Sequence, residues 1–143
     1  MCKYDMMKLP KPESEAKLRK ALIKKLDTIV ARKVKERDNF TCVRCGSNTK
    51  QLNACHFYSR SIKSLRWDMD NIICLCVGCH FWAHKNPSEL TDWYRTLIGD
   101  SRFGRLMVKK SNRFKTSVVN LKLLLHELAY IAEVMYARGA GSG

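Results

Sequence analysis

The chain has 143 residues, with 27 Lys and Arg against 13 Asp and Glu for a net charge of +14, and seven Cys. That length holds one domain with helical extensions, and a composition 45% hydrophobic excludes wholesale disorder. A charge this high on a small domain points to a polyanionic partner, nucleic acid first.

Residues 1–12 form a basic lead with Pro10 and Pro12 as breakers. From residue 13 to about 38 the pattern is helical: Leu18, Leu22, Leu26, Ile29 and Val30 recur at three- and four-residue steps with Lys and Arg between them. Asp38-Asn39 is the expected stop. Residues 40–86 hold six of the seven Cys, three of the four His and two of the three Trp. Alternating pieces over 51–58 and 71–75 predict two strands, the second leading into a helix over 77–85 that Asn86-Pro87 ends. A further helix over 88–98 is expected, with Ser88 as N-cap, Trp93 and Leu97 inward and Gly99 after its end. Residues 100–115 read as a basic loop, 116–138 as a last helix, and 139–143 as a flexible tail. The apolar positions of the last helix suit packing on the first helix or on a second copy, as a homodimer.

No apolar run is long enough to span a membrane, and the N-terminus lacks an apolar signal core, so a cytoplasmic location is expected. In a reducing compartment, seven Cys do not read as a disulfide framework. Cys42-Val-Arg-Cys45-Gly46 and Cys76-Val-Gly-Cys79 offer instead four thiolates for one tetrahedral structural zinc, with Gly46 releasing the backbone into the knuckle turn. The 30 residues between the pairs are too many for a simple ribbon, so something is inserted there. The insert carries His56 and Asn71, and the helix of the second pair carries His80 and His84. His80 and His84 stand four residues apart and share a helix face. Each His alone has a plain reading: His80 packed beside the zinc, His84 solvated at a helix end, His56 satisfied on a strand. Together with the cysteine pairs they suggest a chemical site.

These residues resemble the HNH endonucleases of the ββα-metal, or His-Me finger, type, and within them the phage recombination endonucleases of the NinG/Rap kind. The resemblance runs over about residues 33–100. It rests on Lys35-Glu36-Arg37-Asp38, the two cysteine pairs, Asn53-Ala54-Cys55-His56-Phe57-Tyr58-Ser59-Arg60, Leu65-Arg66-Trp67-Asp68 with Asn71, His80 with His84 and Asn86, and Tyr94-Arg95 with Leu97-Ile98-Gly99. It implies a small α+β fold, a zinc-knuckle or treble-clef-like ββα-metal core over 39–99 flanked by N- and C-terminal helices. It also implies a phosphodiester hydrolase with His56 as general base, Asn71 fixing the hairpin loop or orienting His56, and His80 and His84 holding a catalytic Mg²⁺ or Mn²⁺. Arg60 and Arg66 would meet phosphates, and the products would carry a 5′-phosphate and a 3′-hydroxyl. The sequence departs from the common pattern at Cys55, where Asp or His usually precedes the catalytic His as a metal ligand; a thiol is a poor ligand for Mg²⁺.

The residue types suit that chemistry independently. Neutral imidazole is a base at neutral pH, and a divalent ion stabilises charge at phosphorus and the leaving oxygen. Arg44, Arg60, Lys63, Arg66 and Lys85 lie near the motifs, and binding to DNA through them would weaken steeply with salt. Asp68 and Asp70 read as turn and cap residues, with Asp70 also a candidate to orient a His. Trp67, Phe81 and Trp82 read as packing around the zinc, and Cys74 as a buried thiol. The alternatives to a DNA endonuclease are a catalytically inactive zinc-stabilised DNA-binding module and a zinc-stabilised domain that binds an acidic protein.

Overall fold

The structure, a computed structural model, describes residues 14–139. The expected basic lead, Cys2 and the tail beyond residue 139 lie outside the described residues. The chain divides into two compact units: residues 24–116, and a unit joining the chain up to residue 23 with the chain from residue 117 onward.

Helix α1 runs Glu15–Arg37 and contributes to both units. Ser14 starts it, its hydroxyl accepting from the Lys17 amide at 3.3 Å. Leu22, Leu26, Val30 and Val34 are buried, a strict four-residue stripe, and the exposed faces carry chiefly Lys, Arg and Glu. The helix stops where expected: Asn39 and Phe40 have φ of +53° and +50°, and the Phe40 amide returns to the Lys35 carbonyl at 2.8 Å. Arg37 and Asp38 then fasten this end to the sheet. Arg37 donates to the carbonyls of Met69 (2.6 Å) and Ile72 (2.8 Å), and Asp38 accepts from the Cys74 amide at 2.9 Å while pairing with Arg37.

The sheet is a two-stranded antiparallel pair, β1 over Leu52–His56 and β2 over Ile72–Cys76, in a register that sets Leu52 opposite Cys76 and His56 opposite Ile72. All five β2 residues are buried, and β2 is the axis of the core, with Cys55, Leu65, Ala83, Tyr94, Phe103 and Leu106 among those packed with it. Asn71 does not open β2. It closes a 3₁₀ turn over Met69–Asn71 that Asp68 caps by accepting from the Asp70 amide at 2.9 Å. Helix α2, Val77–Lys85, follows β2 with no linker, its first turn capped by Cys76.

Helix α3 spans Pro87–Ile98. Its cap position is Asn86, not Ser88, because Pro87 takes the first helical place, where a missing N–H costs nothing. Tyr94 is its buried anchor and Leu97, expected inward, is 42% exposed. Tyr94 stacks on Phe57 at 4.4 Å between centroids and donates to the Asp70 carbonyl. The expected basic loop is helical over Asp100–Lys110, here α4, on the strength of buried Phe103 and Leu106. Two buried anchors among a dense run of Arg and Lys hid its period. The last helix, α5, covers Val118–Gly139. In its unit Leu22, Leu121 and Leu128 are buried, while Val119, Leu123, Tyr130 and Ile131 are exposed. Among the described residues no helix is long and apolar enough to cross a membrane.

Candidate functional site

The first cysteine pair sits in a knuckle between α1 and β1. Gly46 has φ of +74°, where a side chain would be strained, and its amide donates to the Cys42 carbonyl at 2.8 Å. The Val43 amide donates to the Cys74 carbonyl at 3.0 Å and so docks the knuckle on β2. The second pair lies at the end of β2 and in the first turn of α2. The Sγ atoms of Cys42, Cys45, Cys76 and Cys79 all fall within 4.8 Å of one another, with Cys45 and Cys76 3.7 Å apart. A tetrahedron with Zn–S bonds of about 2.3 Å spaces its corners about 3.8 Å apart, so four thiolates here suit a metal ion such as zinc.

The electrostatics agree. Burial raises the Cys42 thiol, but backbone amides of Cys45, Cys76 and Arg44 outweigh it and bring it down to about 6. Burial pushes the Cys79 thiol up to about 12, against a hydrogen bond from Arg44. Four thiols this close do not all ionise without a cation between them. The α2 N-terminus adds its positive end on the same side.

The second site is an open cleft of about 570 Å³ lined by, among others, Asp27, Cys55, His56, Arg60, His80 and His84. All three expected histidines therefore line one space. His56 ends β1 and is half-buried, with Nε2 2.8 Å from the Arg66 carbonyl. A carbonyl only accepts, so Nε2 carries the proton and Nδ1 of the neutral ring holds the free lone pair. Burial lowers the His56 pKa, with nearby Arg60 adding to the effect and the Arg66 carbonyl opposing it. His80 and His84 stand on α2 with their Nε2 atoms 3.0 Å apart. Two nitrogens about 2.0–2.1 Å from one ion are about 2.9–3.4 Å apart at right-angle to tetrahedral geometry, so this pair suits two ligands of a single ion. Burial, then His84, lowers the His80 pKa and favours the neutral ring. Among the described residues the only cluster of three or more metal-ligating atoms is the four-cysteine one, so His80 and His84 have no third protein ligand at comparable range. Cys55 is buried beside the cleft and burial raises its thiol to about 11, so it stays protonated.

Residues 3–135 match the family of the bacteriophage lambda NinG protein. The chain belongs to the NinG family. No curated protein and no solved structure matches it.

In this NinG-family chain Asn71 serves the loop and not His56. It is fully buried; its Oδ1 accepts from the Tyr58 amide (2.8 Å), and its Nδ2 donates to the carbonyls of Tyr58 and Leu65 (both 3.0 Å). The orienting role expected of it falls to the Arg66 carbonyl. Of the cations expected to meet phosphate, Arg60 is exposed at the cleft and Lys63 reaches back to the Arg60 carbonyl at 3.5 Å. Lys85 is exposed, with its ammonium 4.4 Å from the Phe81 ring. Arg66 is committed elsewhere: it forms a two-pronged pair with Asp27 at 2.9 and 2.6 Å. Arg44 stacks on Trp82 at 3.6 Å and donates to Cys79, so its charge faces the thiol cluster. Asp68 pairs with Lys109, and Asp70 faces Arg102 at 3.9 Å and no histidine. The aromatics are also redistributed: Trp67 is buried against Phe114 and Phe81 is 60% exposed, which leaves Trp82 as the one of the three near the thiols. The residue that sequence reasoning missed is Asp27. It lies in the helical stripe's polar flank, and nothing in its spacing ties it to a histidine 29 residues later.

Proposed function

We propose that this chain is a metal-dependent DNA endonuclease of the HNH type, in which the thiol cluster holds structural zinc and the histidine cleft performs phosphodiester hydrolysis. The observation that carries the reading is the His56 arrangement. Its Nε2 is tied to a backbone carbonyl, and its ring lines the same cleft as the His80–His84 pair and Arg60. The succession β1, β2, α2, with cysteine pairs before β1 and at the start of α2, supports it. The family's association with phage recombination favours DNA as the polyanion.

In this mechanism His56 Nδ1 takes a proton from a water molecule as the water oxygen bonds to phosphorus. The bond from phosphorus to the 3′ oxygen breaks, and that oxygen leaves as a hydroxyl after protonation by solvent. The products are a 5′-phosphate and a 3′-hydroxyl. The Arg66 carbonyl accepts the hydrogen bond of the Nε2 proton and stabilises the imidazolium. Arg60 binds a neighbouring phosphate. A divalent ion on His80 and His84, Mg²⁺ or Mn²⁺, would neutralise charge on the cleaved phosphate and the leaving oxygen.

Supercoiled plasmid incubated with Mg²⁺ or Mn²⁺ tests the proposal: wild type should nick it and His56→Ala should not. Equal nicking by both proteins, or none by wild type on plasmid and branched DNA alike, ends it. The second reading, an inactive zinc-stabilised DNA-binding module, draws on the two-histidine ligand set without a carboxylate and on Cys55 beside it. It predicts DNA binding with no cleavage under any ion.

A further inference from the structure

Asp27, in the middle of α1, carries three hydrogen bonds on one carboxylate. Oδ1 accepts from Arg66 Nε at 2.9 Å and from the Trp67 indole at 2.8 Å; Oδ2 accepts from Arg66 Nη2 at 2.6 Å. Both donors belong to consecutive residues of the segment joining the two strands. The carbonyl of the first of them is the one that accepts from His56 Nε2 at 2.8 Å. Just upstream, Asn71 pins the Leu65 carbonyl at 3.0 Å. The segment is therefore held on one side by Asn71 and on the other by Asp27, and the Arg66 carbonyl between them is aimed at the imidazole. Asp27 forms no hydrogen bond of its own with His56, although both line the cleft.

We infer that Asp27 is a positioning residue for His56, acting through Arg66 and Trp67. This rests on reading His56 as the base, and it extends the site beyond the ββα segment into α1. The physical demand is specific. A carbonyl displaced out of hydrogen-bond range of Nε2 no longer holds the ring in the Nε2–H tautomer, and only that tautomer leaves Nδ1 free to take a proton. A two-pronged arginine pair plus an indole bond fixes position and orientation together, which a single contact does not.

The test reads His56 directly, by ¹⁵N NMR of the histidines in the full-length zinc-loaded chain, beside plasmid-nicking kinetics. Wild type should show the Nε2–H tautomer at His56. In Asp27→Ala that signal should become a mixture, kcat should fall about 10- to 100-fold with KM within about twofold, and zinc per chain should not change. Arg66→Met should give the same shift, and the double variant no further loss. If Asp27→Ala fails to fold, Asp27→Asn serves, since it keeps an acceptor for the indole and loses the arginine pair. An unchanged tautomer in both Asp27 variants overturns the inference, as does a rise in KM at constant kcat, which would make Asp27 a DNA-binding element. A tautomer shift in a protein that never nicks DNA keeps the positioning role and sinks the endonuclease reading.

Discussion

The thiol cluster and the histidine cleft share one helix and differ in how complete they are. Four sulfurs within 4.8 Å of one another could close the shell of an ion such as zinc and leave no position open. The cleft has two nitrogens 3.0 Å apart and a third ring tied to a carbonyl, around about 570 Å³ of open space. A closed set suits a metal that builds the fold; an incomplete one leaves room for water and a phosphate. A closed thiol set and an open histidine cleft thus differ as a scaffold and a reaction chamber would.

The largest effect should come from the closed site. Structural zinc in small domains binds with about 10–16 kcal/mol, more than most domains have in total stability. Chelation, or Cys42→Ser with Cys76→Ser, should abolish the cooperative thermal transition and remove zinc from the chain by elemental analysis. Survival of that transition without metal would erase the contrast. Next is His56→Ala, expected to lower nicking by at least about 100-fold while leaving the melting transition and zinc content in place. Loss of zinc in that variant would mean that the two sites are not separable. Asn71→Ala removes three hydrogen bonds from a buried side chain and should cost roughly 3 kcal/mol of stability in urea titration. A cost near zero would show that the loop is held without it.

The smallest effect concerns pH. As the proposed base, His56 would act only when neutral, so activity should rise as pH climbs through its pKa. Burial sets that value below the ordinary histidine value of about 6.5, so the acid limb of kcat/KM should lie below it. A limb above it would assign the titration to another group.

Much of this was legible in the chain. The cysteine spacing announced the closed site because ligand geometry forces short local pairs, and the His80–His84 spacing announced a shared helix face. Both strands and α2 lie close to where the sequence placed them, although β2 is buried at all five positions instead of alternating. What escaped was long-range. Asp27 meets residues 66 and 67 through folding alone, and the arginines that look identical in sequence divide by partner: Arg60 faces the cleft, Arg66 is locked to Asp27, and Arg44 is drawn to the thiols. Helix α4 was hidden because two apolar residues carry it among a dense run of cations. The capping role given to Ser88 failed because Pro87 pre-empts the first helical position.

Cys76 ends β2, caps α2 by accepting from the Cys79 amide at 3.5 Å, and supplies one of the four sulfurs. His80 comes one residue after the last thiol, about 1.5 Å further along the helix axis. An ion held by the four thiols would therefore fix the starting point and the rotation of the helix that carries the histidine pair. If the thiols hold zinc and the cleft is catalytic, zinc loading should precede competence at the cleft. A chain stripped of zinc should then lose the defined start of that helix, and the cleft with it, even though every histidine is still there.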